Sequence, residues 1–588
     1  MSLEIKHIEN SLSLLNRKWK IKKFDERKVI FFTQKFKLTY LIAKLLTIRE
    51  VKEDSVVSFL NPDINLNIPD PFNLKDMKKA VKRVIKSLEN NEKIGIIADY
   101  DVDGSTSAAI LFKFLRHYTS KISLKIPNRL LDGYGPNLKI MNEMKKNNVG
   151  LIFTLDCGTT SNGIIDNKDY SNIDKIIIDH HLTDTNLPNV HSIINPNRDD
   201  ESGNYKEMAA VGVTFLFLMA LRKELRLSIL FNKFKEPNLL SFLDLVALGT
   251  VCDIVNLKSY NRVFVKKGLE IIHKRHHKGI AKLIDNSKIS SSPTSIDLGF
   301  KVGPQINAAS RLDDSSLASK FLITNDNKII ESISRKLFLL NEKRKLIENK
   351  IFNEANLQAI NQRDSNYILV YGNDWHPGVL GIVASKISDL YFKPAIVISF
   401  INDFGIGSAR SIEGLDLGKI ILNAKNKNIL INGGGHSMAA GLKISINNLD
   451  RFNSFLKKSF KIYDLTIYQR IDEYDSVISV NELNTELVEN LEILQPFGKG
   501  NPEPSFILTD IKIDSIKYIK DKHILIFFQN DIGNKIKGIC FNAKGTILGD
   551  HLEKYKKFNF LISCNLSIDK FSRDFSPQIV IKDILKID

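Results

Sequence analysis

The chain has 588 residues, of which 43% are hydrophobic and 26% charged. That is enough for three or four domains of roughly 150 residues and too apolar for a largely disordered protein. The longest apolar run, Val211 to Leu221, falls short of the about 20 residues needed to cross a bilayer, and the N-terminal MSLEIKHIENS lacks the apolar stretch of a secretory leader. A cytoplasmic protein with no membrane attachment is therefore expected. Cys157, Cys252, Cys540 and Cys564 are widely separated and form no CxxC pair, which argues against a disulfide framework and against a thiolate zinc site. The net charge of +17 makes nucleic acid the leading partner class.

Residues 1–70 carry basic, partly helical patterning that ends in a proline-punctuated loop, Asn61 to Phe72. A helix-like run, Lys78 to Asn91, precedes an apolar strand, Lys93 to Ala98, and an apolar helix, Thr106 to Tyr118. Val149 to Leu155 and Lys175 to Ile178 are short β-branched runs that read as buried strands. Strands alternating with helices imply a parallel α/β sheet. From Ile329 to about Ile360 the chain keeps helical spacing without Gly or Pro, which predicts a long connecting helix. A second α/β region contains Asn366 to Gly372, Gly381 to Tyr391 and Pro394 to Phe400 and ends near Tyr463. Beyond Pro496 to Pro504 the pattern becomes β-rich, as in His523 to Phe541 with a turn at Asn530 to Asn534. The expected units are 1–70, 71–328, a helix over 329–362, 363–463, and a β-rich barrel or sandwich over 464–588.

Acids and imidazoles follow the predicted strands of the first α/β region directly. Asp99, Asp101 and Asp103 follow the first, Asp156 the second, and Asp179, His180 and His181 the third, while Asp253 follows the apolar run Leu243 to Val255. The carboxyl ends of strands in an open α/β sheet form the ligand crevice, so these side chains converge although distant in sequence. An Asp ending a strand is often only a turn residue or helix cap, but several acids and two imidazoles in one crevice require cations among them. Oxygen and imidazole donors without thiolates favour Mn²⁺ or Mg²⁺. Two such ions about 3.5–4 Å apart suit phosphoester hydrolysis.

The runs ADYDVDGSTSAAIL (from Ala98), TLDCGT (from Thr154), IIDHH (from Ile177) and GTVCDIV (from Gly249) resemble, in this order, the four motifs of the DHH phosphoesterases. GPQINAASRL, DWHPGVLGIVASKI, GIGSARS, INGGGHSMAAG and PFGKGNPEP are similar to further marks of the RecJ family of single-strand-specific DNA exonucleases. The resemblance covers about residues 95–505. It implies two α/β lobes, of DHH and DHHA1 type, joined by a long helix, with a C-terminal domain like an oligonucleotide-binding (OB) fold. It also implies 5′ to 3′ degradation of single-stranded DNA to 5′-mononucleotides in recombination and repair. Carried over residue by residue, it places Asp101 and Asp156 on one ion and Asp103, Asp156, His180 and Asp253 on the other, with Asp156 bridging. Asp99 is a further ligand candidate. His181 then stands beside the reacting phosphate, and Asp179 orients a histidine.

For substrate binding, Gly433, Gly434, Gly435 and His436 are expected to form a loop that lets backbone approach a phosphate. Arg311 and Arg410 supply guanidinium forks. The helix opened by Gly104 to Ser107 aims free N–H groups at the crevice. Trp375 and His376 suit either a core or a substrate-facing role. The basic helix at Lys343 to Lys345 suits either a lining of the DNA path, the reading slightly favoured, or a solvated face, whereas His273, His276 and His277 read as a solvated basic face. Phe506, Phe527, Phe528 and Phe541 could stack on bases, although such alternation in a barrel is more often core. The partners that fit are single-stranded DNA and, for an enzyme of this kind, a helicase or single-strand-binding protein, with the chain itself a monomer. Two rivals are a related phosphoesterase of short oligonucleotides or cyclic dinucleotides, and a non-catalytic DNA-binding scaffold. The long basic chain argues against the first and the filled Asp and His positions against the second.

Overall fold

The computed structural model describes residues 8–9, 11–183, 186–203, 205–230, 232–289, 292–554, 559–569 and 576–587. Near the N-terminus, strand β1 (Lys18–Ile21) precedes two short amphipathic helices, Glu26–Phe36 and Tyr40–Ile48. The first α/β lobe follows with strands β2 (Ile94–Ala98), β3 (Ile122–Lys125), β4 (Leu151–Leu155), β5 (Asp174–Ile178) and β6 (Ser192–Ile194). All five are parallel, in the order β3-β2-β4-β5-β6. The order reverses at β2, so the crevice between the ends of β2 and β4 is the place where such sheets bind ligands. Every residue of β2 and β4 is buried, because helices cover both faces of a parallel sheet.

The long helix runs over Asn327–Ile360, 34 residues or about 50 Å, and leads to the second lobe. Its strands are β7 (Ile368–Asn373), β8 (Ala395–Ile401), β9 (Phe404–Arg410), β10 (Asn432–His436) and β11 (Ala439–Ser445), ordered β10-β11-β9-β8-β7. Only β7 and β8 pair in parallel; the other pairs are antiparallel. Trp375 is buried, and its Nε1 donates to Glu354 Oε2 on the long helix at 2.7 Å, so it is a core residue that fixes the helix to the lobe. His376 caps the helix Pro377–Tyr391 by accepting from the Gly378 N–H.

Strand β12 (Ile471–Tyr474) leads into a seven-stranded sheet that ends the chain. The two α/β lobes, the connecting helix and the terminal β domain follow the sequence expectation. The N-terminal segment differs, because it does not stand alone. Strand β1 pairs in parallel with β12, and Val29, Phe32, Ile42 and Leu45 share one core with Phe506, Ile524 and Phe528 of the terminal domain. A short amphipathic helix has to bury its apolar stripe against something, and here the partner lies more than four hundred residues away in sequence. Phe506 and Phe528 are therefore core, Phe527 is half-buried beneath Lys517, and Phe541 is 55% exposed. The cysteines are free thiols. Among the described residues no helix is long and apolar enough to cross a membrane.

Candidate active site

Each strand end delivers its acid through a local conformational device. After β2, Asp101 caps the helix Val102–Leu115, its carboxylate accepting from Gly104 N at 3.0 Å. A β-carbon on Gly104 would lie 2.4 Å from the Asp99 carbonyl oxygen, so only glycine allows the tight turn that sets Asp99, Asp101 and Asp103 side by side. The helix thus begins earlier than the expected Gly104 to Ser107 opening, with Asp103 inside its first turn. Asp103 is 1% exposed and accepts from the N–H groups of Ala210 and Val211 at 2.7 and 2.8 Å, the N-terminus of the helix Ala210–Leu225. Asp156, after β4, takes a left-handed conformation (φ 58°) that turns its carboxylate into the crevice. Asp253 is the C-cap of Leu243–Cys252. That helix packs closely on Val102–Leu115 because Gly249 lacks a β-carbon, which would sit 2.3 Å from Thr106 Oγ1.

These side chains form two groups, with a third, Asp156, His180 and His181, overlapping both. Donor atoms of Asp99, Asp101 and Asp156 lie within 4.8 Å of one another, and so do those of Asp103, His180 and Asp253. His180 Nε2 stands 3.3 Å from Asp156 Oδ1, 3.5 Å from Asp253 Oδ2 and 3.9 Å from Asp103 Oδ2, so Asp156 lies between the groups. Burial, then repulsion from Asp253, raises the Asp103 carboxyl to about 7. Burial and the charge of Asp101 raise Asp253 to about 7, and Asp99 and Asp156 rise well above the ordinary carboxylate range for the same reasons. Asp99 Oδ1, Asp156 Oδ1, Asp253 Oδ2 and His180 Nε2 are buried without a hydrogen-bond partner. Four orphaned donors converging in a crevice of like charges fit divalent cations with oxygen and imidazole ligands.

Asp179 is tied down completely. One oxygen accepts from the N–H groups of His180 and His181 and from His181 Nδ1 (2.8 Å), and the other accepts from Thr159 N and Oγ1. Burial pulls the His181 imidazole down, but the bond and charge of Asp179 outweigh it and raise the group to about 9. Several supports were missed in sequence. Asn195 donates to His181 O and Thr159 Oγ1, Asn197 donates to His180 O, and Tyr134 OH donates to Asp156 O at 2.8 Å beside His181. The two asparagines follow β6, whose carboxyl end was the signal available.

Near the carboxylates stands a group of guanidinium ions, the charge of Arg129 reaching Asp99 and that of Asp101 reaching Arg311. Arg129, also missed, lies over the Tyr100 ring. Burial, with Arg129 and Arg344 beside it, lowers Arg311 to about 10, and burial with Arg129 lowers Arg410. Arg311 Nη1 donates to Gly378 O of the second lobe at 2.9 Å, and Arg410 Nε to Ser385 Oγ at 3.1 Å. The crevice is therefore walled by both lobes. The glycine run is not a loop: Gly433 to His436 belong to β10, an exposed edge strand held by backbone pairing to β11. His436 pairs with Ala439, which pairs with Arg410, so the His436 backbone is two strands, roughly 10 Å, from that of Arg410. Arg344 is bound to Glu348 and Asn341, and Lys345 is paired with Glu342. His277 is no solvated residue. Its Nε2 donates to Leu322 O and its Nδ1 accepts from Ile280 N, and burial holds it near 4.

A parallel sheet with an Asp- and His-lined switch point, joined by a helix to a mixed second lobe, defines a protein of the DHH phosphoesterase class. The chain matches "DHH family, N-terminal domain" over residues 93–250, "DHHA1 domain" over 364–461 and "RecJ OB domain" over 474–583. It is 30% identical to the single-stranded-DNA-specific exonuclease RecJ of Bacillus subtilis, covering 96% of this chain and 70% of that protein. It is 33% identical to the RecJ of Haemophilus influenzae, covering 88% and 92%. Its fold is that of RecJ from Thermus thermophilus in complex with Mn²⁺, with a TM-score of 0.81 at 22% identity over 97% of this chain and 80% of that one. This chain belongs to the RecJ family.

Proposed function

We propose that the chain is a metal-dependent exonuclease that degrades single-stranded DNA from the 5′ end to 5′-mononucleotides, in recombination and repair. The observation that carries this reading is the placement of Asp156 between two donor groups whose buried atoms lack hydrogen-bond partners, within reach of the charges of Arg129 and Arg311. The relatives named single-stranded-DNA-specific exonuclease, matched over 88–96% of this chain, support the substrate class. Asp99, Asp101 and Asp156 would hold one cation, and Asp103, Asp156, His180 and Asp253 the other. Such ions supply positive charge to the phosphoryl group and activate water for attack. Arg129, Arg311 and Arg410 orient strand phosphates through forked N–H groups. His181, its Nδ1 proton held by Asp179, presents Nε2–H to an anionic oxygen. Hydrolysis from an end needs an exposed single strand, so a helicase or single-strand-binding protein completes the reading as partner. A monomer working in the cytoplasm completes the reading.

The test is release from single-stranded DNA labelled at the 5′ or 3′ end, with Mn²⁺, Mg²⁺ or chelator, beside Asp156→Ala. Metal-dependent release of mononucleotide from the 5′ label, lost in the variant, is expected. Cleavage of very short oligomers alone would transfer the reading to a small-substrate phosphoesterase, and full activity in the variant would overturn the ligand assignment.

A further inference from the structure

A cavity of about 490 Å³ lies where the N-terminal helices, the helix Ser259–His273 and the Pro496–Pro504 segment meet. Arg49, Lys52, Lys258 and Arg262 line it against one acid, Glu50. Arg262 is 2% exposed, and its guanidinium reaches only carbonyl oxygens, those of Phe59, Gln495 and Pro496, and the Phe59 ring. Arg49 likewise donates to Leu45 O, Pro502 O and Asn501 Oδ1. Among the described residues none of the four cations has a carboxylate within ion-pair distance, while burial and the neighbouring Arg49 lower Arg262 to about 9. A buried guanidinium with no counter-charge is costly, and an anion in the cavity would offset that cost.

The cavity is connected to the metal centre on two sides. Lys258 comes five residues after Asp253. Gly500 follows Lys499, whose carbonyl accepts from Leu257 N at 2.7 Å and whose charge reaches Asp253. A second cavity of about 420 Å³ shares Arg49, Glu50, Lys258 and Gly500 and extends past Lys23 and the ion pairs Lys20–Glu473 and Lys22–Asp475 toward the terminal domain. Among the described residues Lys23, Arg49 and Lys258 have no ion-pair partner, so unpaired cations continue from the first cavity into the second, a spread that suits an extended polyanion better than a single ion.

We propose that Arg49, Lys52, Lys258 and Arg262 form a phosphate site outside the metal centre that holds the backbone of the single strand. The inference rests on the single-strand exonuclease reading. Lys52 and Lys258 are exposed and hold no other element, so Lys52→Ala with Lys258→Ala tests it without disturbing the fold, which a thermal melt checks. Binding of a fluorescent single strand to the full chain in chelator is measured by anisotropy over a range of salt. Each lost phosphate contact lowers the slope of log affinity against log salt by about 0.7, so two lower it by about 1.4, a factor of about 25 between 1 M and 0.1 M salt. An unchanged slope and affinity would overturn the site and leave Arg262 as a structural cross-link. If inorganic phosphate raises the melting point of the parent protein but not of the variant, while strand binding is equal, the ligand is a free phosphate and the strand assignment fails. Metal-dependent hydrolysis by the parent protein, run in parallel, reports on the exonuclease reading independently of these outcomes.

Discussion

Replacing Asp156 by asparagine should stabilise the protein in chelator while abolishing its response to metal. The Asp156 side chain is 2% exposed, one oxygen has no hydrogen-bond partner, and carboxylate oxygens of Asp99 and Asp101 lie within 4.8 Å. Two unit charges at that separation repel by about 3.5 kcal/mol at an effective dielectric constant of 20. Proton uptake by the raised Asp99 and Asp156 carboxyls relieves part of it, leaving ~1–2 kcal/mol to be gained at pH 8 when one charge is removed. For a lobe of this size that is an unfolding midpoint higher by about 2–6 °C. Saturating metal has the opposite bias. A cation at a hundred times its Kd stabilises the parent by about 2.7 kcal/mol, and the variant, lacking the carboxylate that lies between both donor groups, loses most of this. Thermal melts of both proteins in EDTA and in Mn²⁺ separate the effects. A lower midpoint for the variant in EDTA, or equal Mn²⁺ shifts in the two proteins, would refute the reasoning.

Two groups that sequence reading misjudged or missed can be tested in the same way. Burial, with Lys113 beside it, lowers His277 from 6.5 to about 4, so the unfolded chain takes up a proton that the folded chain refuses, and stability falls as pH drops through 6.5 toward 4. At pH 5 the loss is about 2 kcal/mol. Denaturant titrations at pH 8 and pH 5 should show it in the parent and not in His277→Gln; parallel pH dependence in the two would show that another group is responsible. Arg129→Ala removes a guanidinium that touches little besides the Tyr100 ring. Losing one charge-assisted phosphate bond is worth about 1.5–3 kcal/mol, so kcat/KM on single-stranded DNA should fall roughly 10- to 100-fold, and an unchanged value would remove Arg129 from the crevice wall.

The acids were legible because each ends an apolar, β-branched run, and a parallel sheet brings the ends of such runs together whatever their spacing. Asp253 could be placed by the same logic at the end of an apolar helix. Arg129 and Tyr134 could not, because they follow β3, a four-residue strand with no fully buried position. Asn195 and Asn197 follow β6, only three residues long, too short to show a pattern. The glycine run was mistaken for a loop because glycine carries no side-chain alternation; its strand exists only through backbone pairing with β11. The docking of β1 on β12 depends on a contact between distant parts of the chain, which local periodicity does not encode. His277 looked solvated among Lys274, Arg275 and Lys278, and only the Leu322 carbonyl on its Nε2 reveals its role.

The arrangement of charge would suit this crevice to phosphate and cations together. On one wall carboxylates raise one another, and on the other Arg129 and Arg344 lower Arg311 while Arg129 lowers Arg410. Neither wall is at ease alone, and the two do not neutralise each other by direct contact, since Arg311 and Arg410 donate to Gly378 O and Ser385 Oγ rather than to a carboxylate. Cations would relieve the first wall and a phosphate the second. The repulsion within each wall is therefore fixed during folding, and its release is available at binding, which is the physical content of a preorganised electrostatic site. Because Arg311 comes from the first lobe and Arg410 from the second, that release depends on the seam at Gly378, where a β-carbon would lie 2.3 Å from the Arg311 carbonyl oxygen. Holding the lobes at that distance is thus part of the chemistry, and the long helix braced by Trp375 and Glu354 is what holds them there.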